Sequence, residues 1–260
     1  MALSRRRMLQ LALGAAAAGV TASTVACVRA DRARPRGVSP TPDARTLTSP
    51  SAVAELFRPG TRHVLDTGEP AVAATQLAGV LHMPTGRLLA VDPSWLYLGP
   101  PPGVAPFTAS VPPGDYPLTL ALVVWSQTRV AAAKLTVRDE PAASWEMALR
   151  PGQDPATLPE NHFFGVGVDT ATIALFDAVA LSTMVRRVEE EPTAFDIAEG
   201  KRSVELVDPA SGANVIAFET GWGDGSYPVW IGRTRDGSVA CYLVDMLMLA
   251  PDALVPGPHS

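Results

Sequence analysis

The chain of 260 residues has room for one large domain or two small ones, and its formal charge is −5. Setting aside Arg5, Arg6 and Arg7, 18 basic residues face 26 acidic ones, a balance that argues against nucleic acid as partner, since phosphate binding needs a basic face. Cys27 and Cys241 alone make no disulfide framework or cysteine zinc site, and 21 glycines with 25 prolines favour strands and loops over helix bundles.

The N-terminus reads as a targeting segment. Ser4-Arg5-Arg6-Arg7-Met8-Leu9-Gln10 precedes an Ala/Gly-rich run from Leu11 to Ala26, the layout of an export signal. The arginines resemble a twin-arginine signal, with Met8 and Gln10 replacing its usual Phe and Lys. An uncleaved membrane anchor is the competing reading, but Gly14, Gly19, Thr21, Ser23 and Thr24 interrupt the run. Thr24-Val25-Ala26-Cys27 resembles a lipobox, which makes Cys27 the lipidation candidate and would hold the protein on the outer face of the cytoplasmic membrane. The alternative is simple cleavage after Ala26 or Ala30, giving a secreted protein. Residues 28–50, with Arg29, Arg32, Arg34 and Arg36 among prolines, read as a disordered linker.

One β-rich domain is expected over residues 51–250, followed by a flexible tail at 251–260. Ser51 caps a short helix to Phe57. Val72–Met83 and Arg87–Val91 read as strands joined by the Pro84-Thr85-Gly86 turn, hence a hairpin. Thr108–Val111 is a short strand. Pro117–Trp125 and Arg129–Arg138 form a second hairpin, apolar enough to be covered on both faces. Ser144–Leu149 is a further strand. From Thr172 the spacing of Ile173, Phe176, Ala180, Met184 and Val188 predicts the one long helix. Residues 199–212 are ambiguous, and Asn214–Glu219, Tyr227–Ile231 and Ser238–Met246 are the last strands. The fold class is mainly β, an antiparallel sandwich-like or open-barrel domain with one long helix and short helices.

Familiar catalytic motifs are missing: there is no Gly-x-Ser-x-Gly elbow, no phosphate-binding loop and no histidine pair at metal-ligand spacing. No metal and no cofactor is implied. The singular stretch is Gly221-Trp222-Gly223-Asp224-Gly225-Ser226-Tyr227-Pro228, where glycines alternate with a tryptophan and an aspartate between two strands. It reads either as a demanding turn with Asp224 bonded to nearby amides, or as a site where Asp224 projects beside Trp222 and Tyr227.

This octapeptide resembles the signature of a bacterial family catalogued as domain of unknown function 4241. Further pieces agree in order: Pro84-Thr85-Gly86 leading to Asp92-Pro93, Pro113-Gly114-Asp115-Tyr116-Pro117, Trp145 to Leu149, Val168-Asp169, Phe176-Asp177, and Gly232 to Gly237. The similarity spans roughly residues 75–247. Thr170-Ala171-Thr172 departs from it where a glycine is expected. The resemblance supports the domain boundary more than any activity.

The candidate binding residues are therefore Trp222, Gly223, Asp224, Gly225, Tyr227, Asp92 and Asp169. The leading reading is a non-enzymatic ligand- or partner-binding module at the cell envelope, meeting the membrane only through its signal or lipid anchor. A metal-assisted hydrolase using Asp224 with Asp169 or Asp92 is one alternative, because converging carboxylates can share a proton or hold a hard cation. A carbohydrate-binding module using Trp222 and Tyr227 is another.

Overall fold

A computed structural model describes residues 43–44, 47–97 and 104–251. The signal at 1–26, Cys27, the expected linker up to residue 42 and the tail beyond 251 lie outside the described residues. Ordered chain begins ahead of Ser51: Thr48 is buried, its hydroxyl donating to the carbonyls of Leu249 and Ala250, and Ser49 rather than Ser51 caps the first helix.

Among the described residues there are fourteen strands: β1 (Asp43–Ala44), β2 (Arg62–Val64), β3 (Pro70–Met83), β4 (Leu88–Val91), β5 (Gly114–Val124), β6 (Thr128–Thr136), β7 (Ser144–Met147), β8 (His162–Phe163), β9 (Gly165–Val168), β10 (Thr172–Asp177), β11 (Ser203–Val207), β12 (Asn214–Glu219), β13 (Gly225–Arg233) and β14 (Val239–Asp245). Helix α1 (Pro50–Ala54) runs on into a 3₁₀ turn at Glu55–Phe57, and helix α2 (Leu181–Glu190) follows another at Ala178–Ala180. All pairings are antiparallel. The large sheet, a half-barrel, runs β2-β3-β5-β6-β14-β13-β7 with β9 also on β13; a second sheet runs β11-β12-β10-β4.

Side-chain alternation in the second sheet shows how the layers stack. Ile173, Leu175, Ile216, Phe218, Leu88 and Ala90 join the core shared with the half-barrel. The residues between them, Ala174, Phe176, Val215, Ala217, Leu89 and Val91, join a second core with Met184 and Val188 of α2. Successive strand residues point to opposite faces, so a sheet between two layers needs both parities apolar. Asn214 seals the sheets together: buried, it accepts from the His82 amide at 2.7 Å and donates to the Val80 carbonyl at 2.7 Å.

The mainly antiparallel β fold is as expected, but several elements differ from the sequence reading. β3 and β4 make no hairpin; β3 pairs with β2 and β5, and β4 with β10. The Pro84-Thr85-Gly86 turn instead carries the chain between sheets, with Thr85 donating its amide and hydroxyl to the buried Asp177 carboxylate. The long helix starts later than Thr172, because Thr172–Asp177 is a central strand covered on both faces, whose apolar residues happen to continue the helical spacing. Asp177 marks the change, its side chain accepting from Val179 N. Thr108–Val111 is irregular chain, not a strand. In the β5–β6 hairpin Leu120 and Val123 are both fully buried, yet Pro117 and Val124 are exposed. Beside the bulge at Ala121/Leu122, adjacent residues are buried together, Leu120 with Ala121 on β5 and Val130 to Ala133 on β6, so cover on both faces holds over the middle of the hairpin and not over its ends.

His63 on β2 is buried, and desolvation pushes its pKa below the ordinary 6.5 against the opposing pull of Glu55. The unfolded chain then binds more protons between the folded value and 6.5, so stability is full above about 6.5 and falls as pH drops below it. Urea midpoints measured at several pH values should show this loss, and His63→Gln should flatten it. An unchanged slope in the variant would assign the acid sensitivity elsewhere.

Candidate functional site

Of the candidate residues, Asp92, Asp169 and Asp224 converge on one turn, Asp169–Ala171, between β9 and β10. Asp92 follows β4 and caps a 3₁₀ turn at Pro93–Leu96, where Pro93 sits at a position that needs no N–H. Its Oδ1 accepts from Ser94 N at 2.8 Å and from the Thr170 hydroxyl at 2.8 Å. Its Oδ2 accepts from Asp169 N at 2.7 Å and Thr170 N at 2.8 Å. A carboxylate offers about four lone-pair directions, so this buried group is saturated. Asp169 is exposed and accepts from the indole N–H of buried Trp95 at 3.0 Å.

The 220–226 link closes on the same turn from the other side. Exposed Asp224 accepts from Ala171 N at 3.0 Å, and Thr220 N donates to Ala171 O at 2.9 Å. Gly223 O receives the hydroxyls of both Thr220 and Tyr227, each at 2.6 Å. Gly223 has φ +93, a left-handed conformation that a side chain resists, while a Cβ on Gly221 would lie 2.2 Å from Met248 Sδ. Gly225 begins β13, whose Gly225–Pro228 stretch pairs with Gly165–Val168, so the octapeptide and the Val168-Asp169 pair are neighbours in space.

The aromatics of the octapeptide do not form a stacking pair. Tyr227 is 3% exposed with its hydroxyl on Gly223, whereas Trp222 is 38% exposed. Trp222 donates its indole N–H to Asp66 and lies edge-on to Trp125, ring centroids 6.2 Å apart at 73°. The paired exposed platform that sugar binding would use is not built from these two residues. The carboxylates are likewise aimed at N–H and hydroxyl donors of the turn and its neighbours rather than at one another. No cluster of three or more His, Cys, Asp or Glu suited to a metal ion occurs among the described residues.

Thr170 and Ala171 of the turn do line a cleft of about 440 Å³. Pro93 and Ser94 form one side, Thr170, Ala171, Thr172 and Glu219 another, and Val188, Pro192, Phe195, Asp196 and Ile197 the side of α2 and its following loop. Glu219 is held by Arg202 at 2.7 Å. The buried Asp208 helps seat α2: burial raises its pKa, but hydrogen bonds from Ser211, Ala210 and Thr183 outweigh this and hold the carboxyl below its usual range. Sequence reasoning missed Phe195, Asp196 and Ile197, which lie in a segment without periodicity, and passed over Thr170 and Thr172.

Comparison with known families decides the membership. The family described as Protein of unknown function (DUF4241) matches residues 81–244. The chain belongs to this family. No curated protein and no solved structure gives a significant match. In this DUF4241 chain the matched span contains Asp92, Asp169, Asp224 and every lining residue of the cleft. The departure at Thr170-Ala171 also has its structural counterpart: Ala171 has φ +52, the left-handed region where glycine is at ease.

Two substitutions check this construction. Ala171→Gly is expected to raise stability by up to about 1 kcal/mol through relief of the left-handed strain. Asp224→Asn should change it by less than about 1 kcal/mol, since the amide oxygen can still accept from Ala171 N. Denaturant midpoints measure both; a large loss in Asp224→Asn would show that its charge, rather than this bond, matters.

Proposed function

We propose that the domain is a non-catalytic binding module that takes a small ligand in the cleft between the Asp169–Ala171 turn and α2. The observation that carries this is the saturation of Asp92. All its lone pairs are spent on the turn, so it has none for a cation or for proton abstraction, but it makes the cleft wall rigid. Asp196 lines the cleft with no basic side chain among its lining residues, Glu219 there being engaged by Arg202, beside the hydroxyls of Ser94, Thr170 and Thr172. Such a lining suits a ligand with an amine or hydroxyl-rich head and a modest apolar body that reaches Phe195 and Ile197.

The test is calorimetry against a panel of amines, polyols and matched carboxylates. Amines or polyols should bind, Asp196→Asn should weaken amines, and Ile197→Trp should block the cleft with the fold intact. Preference for carboxylates would reverse the charge argument. Turnover of an ester or phosphate that Asp92→Asn abolishes in a folded protein would replace the binding reading by the hydrolytic one.

We further propose that the module works outside the cytoplasmic membrane, exported by the signal at 1–26 and anchored through lipidated Cys27. The arginine pair and the Ala26-Cys27 junction support this. Replacing Arg5 and Arg6 by lysine should block export by a twin-arginine route, and Cys27→Ala should release the protein from membranes. Normal export of the double variant would remove the route, and unchanged fractionation would remove the anchor.

A further inference from the structure

A second cleft, of about 430 Å³, lies between α1 with its 3₁₀ extension and the link from β6 to β7. Its lining includes Lys134 and Thr136 of β6, on the side of that strand away from the core residue Leu135. Phe57 and Trp145 supply aromatic surface, and buried Cys241 lies among the lining residues.

The charges around this cleft are unevenly spent. Arg58 is held by Glu55 at 2.7 Å, and Arg138 has Glu140 at 3.9 Å. Lys134 has its ammonium 4.5 Å from the centre of the Phe57 ring. Among the described residues no acid pairs with it, although an ammonium carries three donors. Burial pushes the Cys241 thiol's pKa up while the Lys134 charge pulls it down, so that charge is felt inside the cleft. One available cation suits a single negative charge. Glu55, Asp139 and Glu140 share the lining and repel a phosphate dianion more strongly than a single carboxylate charge, while Arg58 is engaged and Arg138 stands 3.9 Å from Glu140.

We propose that this cleft binds a small aromatic monocarboxylate, its anionic end on Lys134 and its ring on the surface supplied by Phe57 and Trp145. The proposal is independent of the cleft beside α2. Charge attraction, an oriented hydrogen bond and a flat apolar wall act together on such a ligand, whereas a neutral isostere keeps the wall and a weaker hydrogen bond to its carbonyl and loses the charge attraction.

The experiment is an NMR titration of the ¹⁵N-labelled protein with sodium benzoate, benzamide and inorganic phosphate. Benzoate should give saturable shifts at Phe57, Lys134, Thr136 and Cys241, with benzamide at least about tenfold weaker. Lys134→Met and Lys134→Gln should each weaken benzoate by about tenfold or more, while Lys134→Arg retains it. Equal affinity for benzoate and benzamide, tighter binding of phosphate, or unaltered benzoate binding in both neutral variants would overturn the proposal. So would the absence of saturable shifts up to about 10 mM benzoate, a concentration at which a millimolar site is mostly filled.

Discussion

Asp92→Ala is expected to destabilise the domain by about 3–5 kcal/mol, among the largest effects available to a single polar substitution here. The change strips acceptors from three amides, those of Ser94, Asp169 and Thr170, and from the Thr170 hydroxyl. The donors sit on exposed residues but point at a buried carboxylate, so each one left without a partner costs part of its desolvation. Asp92→Asn should fall between, at about 2–4 kcal/mol: its one oxygen serves half of the donors, and its NH₂ group meets the other half donor to donor. Urea unfolding followed by near-ultraviolet circular dichroism measures both. An alanine variant within about 1 kcal/mol of the parent would show that the carboxylate does not organise the turn, and would reopen a catalytic role for it.

The second large effect concerns the middle layer. Phe176 and Phe218 are both fully buried, but Phe176 belongs to the core under α2 and Phe218 to the core shared with the half-barrel. Truncation of either to alanine should cost about 3–5 kcal/mol through lost burial and the cavity left behind. The location of the damage should differ. In Phe176→Ala, amide hydrogen exchange should accelerate first in α2, whose apolar side rests on that core; in Phe218→Ala, α2 should be no more affected than the rest. If α2 loosens equally in both variants, the two cores are one cooperative unit.

Much of the strand content could be read from the chain because prolines and glycines punctuate apolar runs, as at Pro112-Pro113-Gly114 before β5 and Asp236-Gly237 before β14. The partnership of those strands could not. A turn such as Pro84-Thr85-Gly86 has the same local chemistry whether it closes a hairpin or carries the chain to another sheet, and the deciding contact is Thr85 with Asp177, 92 residues away. Residues 172–177 carry no strand period because both faces are covered, and the uniform apolar run was open to a helical reading. At the site, aspartates beside prolines and glycines announced backbone-binding roles. They could not announce that Asp92, Asp169 and Asp224 meet at one turn, nor that the loop after α2 completes a cleft beside it.

The order in which strands enter the two sheets governs how the chain reaches its structure. β4 waits for β10, with Val91 opposite Ala174 and Leu88 opposite Asp177, and in between come β5, β6 and β7 of the half-barrel. The half-barrel in turn needs β14, near the end of the described chain, to bridge β6 and β13. Neither sheet can be finished from a contiguous piece, and distant pairings must close loops before burial compensates for them. Such a topology folds in about milliseconds to seconds rather than microseconds. Until β10 arrives, the wholly apolar Leu88–Val91 edge has no partner, which makes the growing chain prone to association. A half-synthesised chain is therefore at its most vulnerable before β10 emerges, and removing β14 would leave β6 and β13 as open edges rather than a smaller domain.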